Sequence, residues 1–367
     1  MIPVSEPVIG ERERTYVEEA LRSGWVSQGR FIGEFERRWA EYCGATHGVA
    51  VSNGTAALGL AVEALSLPPG SEVILPSFTI ISCAIAVVRA GCTPVLVDCE
   101  PDTWCLDVAE AARKVTSRTR AIMPVHIYGH MAEMAPLMDL AARHGLAVIE
   151  DAAEAHGAEQ DGRRAGGIGT IGCFSFYSNK IVTCGEGGMV VTSDAGLAER
   201  TRSLRNLCFD ESKRFQHDEI GHNFRLTNIQ AAMGLAQAER IEESVARKRR
   251  VAALYGDRLK QIAGIQLPIE RSGTKNVDWM FGIVLDDTLP FDAAALAGRL
   301  KKEGIETRPF FVGMHEQPAL RARGLFAGER YPVTERISRR GLYLPSGVSL
   351  SDGDIDRVCA AVRTGVE

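Results

Sequence analysis

The chain has 367 residues, 45% of them hydrophobic and 24% charged, with a formal net charge of -5. That length suits a large unit joined to a smaller one, and the composition is that of an ordinary soluble globular enzyme. Mixed charge with a slight acidic excess excludes a dominant basic face for nucleic acid, while leaving room for a local phosphate pocket.

Short β-branched runs alternate with helical patterns through the first two-thirds, which predicts a mostly parallel sheet. Seven strands are expected at Gly48–Ser52, Glu72–Pro76, Pro94–Asp98, Ala121–His126, Ala147–Asp151, Gly172–Tyr177 and Met189–Thr192. Between them fall helical segments at Gly54–Leu65, Ile80–Ala90, Ala132–His144 and Ala195–Arg205. From about Thr227 one long helical pattern runs to about Ile262 and carries the chain out of the first unit. The remainder reads as a small α+β unit, with strands near Trp279–Leu285 and Thr307–Phe311 and helices near Ala293–Glu303 and Asp352–Val362. The expected division is a large domain over 1–245 and a small C-terminal domain over 246–367.

No basic region followed by an apolar stretch opens the chain, and no apolar run could span a bilayer, so a cytoplasmic protein with no membrane partner is expected. Nine cysteines, none in a Cys-x-x-Cys pair, read as reduced thiols and not as a metal or disulfide framework.

Three segments carry chemistry. In VIEDAAEAHGA, Asp151 ends a buried strand, where open α/β sheets bind ligands. A carboxylate there can hold a pyridine nitrogen protonated and make the ring an electron sink, or it can simply cap the next segment. In FSFYSNKIVTCGEGGMVV, Lys180 follows an aromatic strand and precedes a glycine turn. Partial burial of such a strand-end amine lowers its pKa and makes it a nucleophile, whereas most lysines are merely solvated. In VSNGTAALGL, a strand stops at Ser52 and Asn53-Gly54-Thr55 opens a helix, which offers either a phosphate seat or an ordinary N-cap.

SNGTAAL, EDAAEAHGA, FSFYSNK with GEGGMVVT, and GHNFRLTNIQAA stand in the order found in sugar aminotransferases of the DegT type, and the resemblance covers nearly the whole chain. It implies the pyridoxal-phosphate fold type I, with a large domain built on a mostly parallel seven-stranded sheet and a smaller α+β domain. It also implies pyridoxal 5′-phosphate as cofactor, carried as pyridoxamine 5′-phosphate in the second half-reaction. L-glutamate is the implied donor and a nucleotide-linked keto-sugar the implied acceptor.

Carried onto this chain, the resemblance makes Lys180 the covalent attachment point and proton carrier. Asp151 becomes the partner of the pyridinium nitrogen, and Glu154 approaches the phenolic oxygen where the family more often has Gln. Asn53, Gly54, Thr55 and Ser175 surround the phosphate. Asn223 reaches the phosphate of a neighbouring subunit, so a homodimer with shared sites is implied. Ile80 stands where many relatives place an aromatic ring, and would cover one cofactor face with Ala153 on the other. Arg225 and Arg308 are candidates for anionic parts of donor or acceptor, and Trp25, Ser27, Arg30 and His315 are further substrate candidates. A 3-dehydratase relative would carry His where Lys180 stands. A nicotinamide dehydrogenase would show Gly-x-Gly-x-x-Gly after the first strand, and none is present.

Overall fold

The computed structural model describes residues 1–210, 213, 215–217 and 219–366. Its large sheet contains β1 (His47–Val51), β2 (Glu72–Pro76), β3 (Thr93–Val97), β4 (Thr119–Ile122) and β5 (Ala147–Asp151), followed by the strands Ile171–Ser175 and Gly188–Thr192. The spatial order is β1, Gly188–Thr192, Ile171–Ser175, β5, β4, β2, β3. Only Gly188–Thr192 runs against its two neighbours, and every other pairing is parallel. All seven expected strands are present, within about two residues at each end except that β4 stops at Ile122, four residues before the expected His126, and the mostly parallel architecture is as the sequence implies.

Such a sheet is buried on both faces, which explains its near-continuous Val, Ile and Leu runs. β2 is buried at every position. Helices cover it, including α2 (Arg30–Cys43), α3 (Gly54–Ala64) and α4 (Ser82–Arg89), while α1 (Glu11–Ser23) packs on the helix Asn228–Ala238. The first two helices are absent from the expected elements. The signal for α2 is the stripe Phe31, Phe35 and Trp39 at four-residue spacing, all three fully buried. Trp39 there meets Phe174 and Phe176 edge-on, with ring centroids 5.2 and 4.8 Å apart.

The long helical pattern after Thr227 forms two helices, Asn228–Ala238 and Ile241–Leu259, and not one. The chain turns at Arg240, with φ -118° and ψ 20°, where a polar Glu-Arg pair interrupts the apolar stripe. Residue 246 lies inside the second helix. A second sheet orders Ile265–Gln266, Phe281–Leu285, Gly341–Leu344 and Arg308–Pro309. Its core gathers Val251, Tyr255, Ile283, Leu296 and Val362, and Ile2 packs with it. No helix among the described residues is long and apolar enough to cross a membrane.

Candidate active site

The carboxyl ends of β1, β2, β5 and Ile171–Ser175 converge on one cavity of about 320 Å³. Beyond β1 the chain turns at Ser52-Asn53-Gly54 into α3. The Asn53 side chain caps that helix by accepting from Ala56 N at 2.8 Å. The plain capping reading of Asn53 is therefore realised, although the residue also lines the cavity.

Two glycines let three strand ends meet. A Cβ on Gly54 would lie 2.7 Å from Ser175 Cβ, and one on Gly188 would lie 2.4 Å from the Asn53 carbonyl oxygen. Thr55 Oγ1 stands 2.8 Å from Ser82 Oγ, which brings the first turns of α3 and α4 together. Two helix N-termini with hydroxyls between them make a favourable seat for a phosphate dianion.

Opposite this seat lies a buried acid. Asp151 Oδ1 accepts from Ala153 N at 3.1 Å, and Oδ2 accepts from the Cys83 thiol at 3.1 Å. Asp151 is 3% exposed, and with both oxygens already accepting its orientation is fixed.

Glu154 Oε2 accepts from Tyr128 N at 2.8 Å, while Oε1 faces Lys180 Nζ at 3.8 Å, an ion-pair distance too long for a hydrogen bond. Burial pushes the Glu154 carboxyl up to about 7, although Lys180 draws it back. Burial likewise depresses the Lys180 amine, opposed by the negative charge of Glu154 and Asp151. Lys180 Nζ also sits 3.5 Å from the centre of the Trp279 ring, and Trp279 Nε1 donates to Asn179 O at 2.8 Å. A cation over an indole face is attracted by the ring quadrupole.

The cavity thus brings together Asn53, Gly54, Thr55, Ser175, Asp151 and Lys180. Ala153, Glu154 and Ile80 also line it, and Ile80 is 44% exposed at its edge. Phe78 does not replace the missing ring, since it is fully buried against Tyr128, Phe310 and Phe311. Aromatic walls come instead from Trp279, Phe311 and Tyr343, none of which was expected there. They belong to later segments far away in sequence, where no local motif marks them. Ser82 was missed as well, though a serine opening a helix just after a strand end is a readable signal.

The remaining candidates lie elsewhere. Trp25, Ser27, Asn223 and Arg225 line a separate open cavity of about 950 Å³, and Arg225 Nη1 donates to Asn206 Oδ1 at 2.8 Å. Arg30 is paired with Glu19 and Glu34 on the surface, at 2.6 and 2.9 Å. Arg308 pairs with Glu306 at 2.7 Å and lies opposite Tyr343 in the second sheet. His315 lies outside this cavity's lining as well. It is 1% exposed, with Nδ1 2.8 Å from Ser77 Oγ and Nε2 3.3 Å from Glu335, so it joins core elements.

These residues fit pyridoxal phosphate. A cradle that a single Cβ would fill faces paired helix N-termini, the oriented acid Asp151 stands at a strand end, and an amine depressed by burial shares the cavity. The fold and cavity define a pyridoxal-phosphate-dependent aminotransferase. The chain belongs to the DegT/DnrJ/EryC1/StrS aminotransferase family, whose model matches residues 7–363. It is 43% identical to the GDP-perosamine synthase of Caulobacter vibrioides over 98% of this chain and 97% of that one. It is 38% identical to a dTDP-3-amino-3,4,6-trideoxy-alpha-D-glucose transaminase of Streptomyces venezuelae, covering 96% of this chain and 91% of the relative. Among solved structures, an aminotransferase from Streptoalloteichus hindustanus superposes with a TM-score of 0.93 at 31% identity, over 100% of this chain and 98% of the other.

Proposed function

We propose that this enzyme moves an amino group from L-glutamate to C4 of GDP-4-keto-6-deoxy-D-mannose, giving GDP-perosamine. The observation that carries the chemistry is the placement of Lys180 between Glu154 and Trp279, within one cavity that also holds Asp151. The GDP-perosamine synthase named above, 43% identical along nearly the whole chain, supports the choice of sugar.

When bound, the cofactor supplies an electron sink for the carbon that loses or gains a proton. Lys180 holds it and then carries that proton, a role suited to an amine whose basicity burial has lowered. The Trp279 face and Glu154 keep the amine at one place while its charge changes. Asp151, fixed by Ala153 N–H and the Cys83 thiol, keeps the pyridine nitrogen protonated. Gly54, Thr55 and Ser175 receive the phosphate, with Ser82 added to the expected set.

Asn223 lines the separate open cavity and not this one, in agreement with a role at the site of a second copy. The working form in this reading is a cytoplasmic homodimer, and each chain divides into a large domain over 1–245 and a small one over 246–367. Trp25 at 65% exposure and Val26 at 43% are apolar surface that such a dimer would cover.

The test is amination of GDP-, UDP- and dTDP-linked 4-keto-6-deoxy sugars with glutamate, followed by mass spectrometry of the product. Aminated GDP-sugar with stoichiometric 2-oxoglutarate is expected. Turnover of the dTDP sugar alone would favour the second reading, a dTDP-sugar aminotransferase, which the Streptomyces relative motivates.

A further inference from the structure

Glu154, the Trp279 ring and the charge of Asp151 all act on the Lys180 amine, and they come from separate segments of the chain. One short stretch beyond β4, from His126 to Gly129, makes contact with all three segments. His126 N–H donates to the Asp151 carbonyl at 3.0 Å. Tyr128 N–H donates to Glu154 Oε2 at 2.8 Å, the oxygen that does not face Lys180. Gly129 O accepts from Val277 N–H at 3.1 Å, two residues before Trp279.

Tyr128 and Gly129 both have left-handed backbone, with φ 52° and 92°. Together they make a sharp turn that sets an N–H against Glu154 and, one residue on, a carbonyl against Val277. A non-glycine residue adopts this conformation only at a cost, and it persists where the surroundings over-determine it, often beside functional groups. The Tyr128 ring supplies such surroundings, packed among Phe78, Phe310 and Phe311. Trp104 and Asp278 also have positive φ, 63° and 44°, and they line the same small buried cavity as Tyr128.

At Gly129 the limit is space as well as φ. A Cβ there would lie 2.7 Å from Val277 Cγ2 and 2.9 Å from Trp279 N. The second of these is backbone, which no change of rotamer can move aside. Any side chain at 129 would therefore push the segment that carries the Trp279 ring.

Resting on the reading of Lys180 as the proton carrier, we propose that Tyr128 and Gly129 are positioning residues for its amine. The Tyr128 N–H fixes Glu154 on one side, and Gly129 permits the close approach that fixes Trp279 on the other. Because adjacent residues of one turn make both contacts, the two partners of Lys180 are set together.

The test follows the Glu154 carboxyl by NMR in the cofactor-free enzyme, so that it does not depend on turnover. Lys180 and Asp151 are the charges that face this carboxyl. The nearby hydroxyls of Tyr128 and Tyr343 and the Cys83 thiol stay neutral, because burial raises all three. In wild type the Tyr128 amide proton should shift as Glu154 titrates, and this response should vanish in Glu154→Gln. Gly129→Ala should raise the Glu154 titration from about 7 by about one pH unit, since a lost N–H donor no longer favours the carboxylate. Adding Val277→Ala removes the closer clash and should return part of that shift. Thermal unfolding separates this from a purely structural role, which would lower Tm and leave the titration of the folded enzyme in place. The amide measurement needs no change to the turn, so it decides the proposal even where Gly129→Ala does not fold.

A Tyr128 amide that ignores Glu154, or a folded Gly129→Ala in which Glu154 titrates as in wild type, would overturn the proposal. Either result in an enzyme that still transaminates would leave the proposed reaction standing. The expected titrations in an enzyme that aminates no nucleotide-linked sugar would support the positioning and remove the reaction.

Discussion

Lys180 Nζ and Glu154 Oε1 stand 3.8 Å apart in a site where burial works against the charge on both. The carboxyl titrates at about 7, so the countercharge beside the lysine is lost as pH falls through neutrality. Wild-type kcat/KM should therefore show an acid limb near that value. In Glu154→Gln this limb should vanish and the rate should fall by about ten-fold. An unchanged limb in the Gln variant would assign the ionisation to another group.

Asp151→Asn should keep the fold and the bound cofactor but lose more than about 100-fold in rate. The amide can still accept from Ala153 N–H, so local structure has no reason to change. What is lost is the negative charge that holds a pyridine proton. Single-turnover rates with glutamate check this, and rates within a few-fold of wild type would reduce Asp151 to a structural cap.

Gly54→Ala sets two effects against each other. Alanine in a first helical turn gains up to about 1 kcal/mol in propensity over glycine. Its Cβ would lie 2.7 Å from Ser175 Cβ, and overpacking of this kind costs about 1–3 kcal/mol. The clash should win, and it falls on the phosphate seat, so cofactor affinity should drop by about ten-fold or more. Ser175→Gly in the same chain should restore part of it. Equilibrium dialysis of pyridoxal phosphate reads both effects, and tight binding by Gly54→Ala would show that the seat lies elsewhere.

His156 gives a stability prediction. It packs among Trp39, Phe174 and Phe176 and accepts from Val182 N at 3.3 Å. Burial and the nearby Lys180 charge lower its pKa to about 3 from an ordinary 6.5. Because the folded value is depressed, its contribution is present above about pH 6.5 and is lost as pH falls toward 3. Glu154, with a raised folded value, slopes the opposite way between 4.5 and about 7. The difference between wild type and His156→Phe isolates the histidine. That difference should change by up to about 1.4 kcal/mol per pH unit below pH 6 in urea unfolding. A constant difference would mean that His156 titrates normally.

Much of the fold was legible because buried parallel strands read as apolar runs between helical patterns, and all seven appear, with β4 alone ending four residues early. Asp151, Lys180 and Gly54 were legible because each sits at a strand end inside a local motif. Trp279, Phe311 and Tyr343 were not, since they reach the cavity through the second sheet, which no spacing relates to the first. The burial of His315 between Ser77 and Glu335 was not legible, because no local spacing relates the three residues. The break at Arg240 was hidden because only the polar pair Glu239-Arg240 marks it, with no Pro or Gly at the turn.

The most direct measurement is borohydride reduction of the enzyme loaded with pyridoxal phosphate, followed by peptide mass spectrometry. The account predicts a phosphopyridoxyl group on Lys180, absent from Lys180→Ala, which should remain folded because a strand-end amine leaves no core cavity. A modified lysine elsewhere, or no modified lysine in an enzyme that still transaminates, would contradict it.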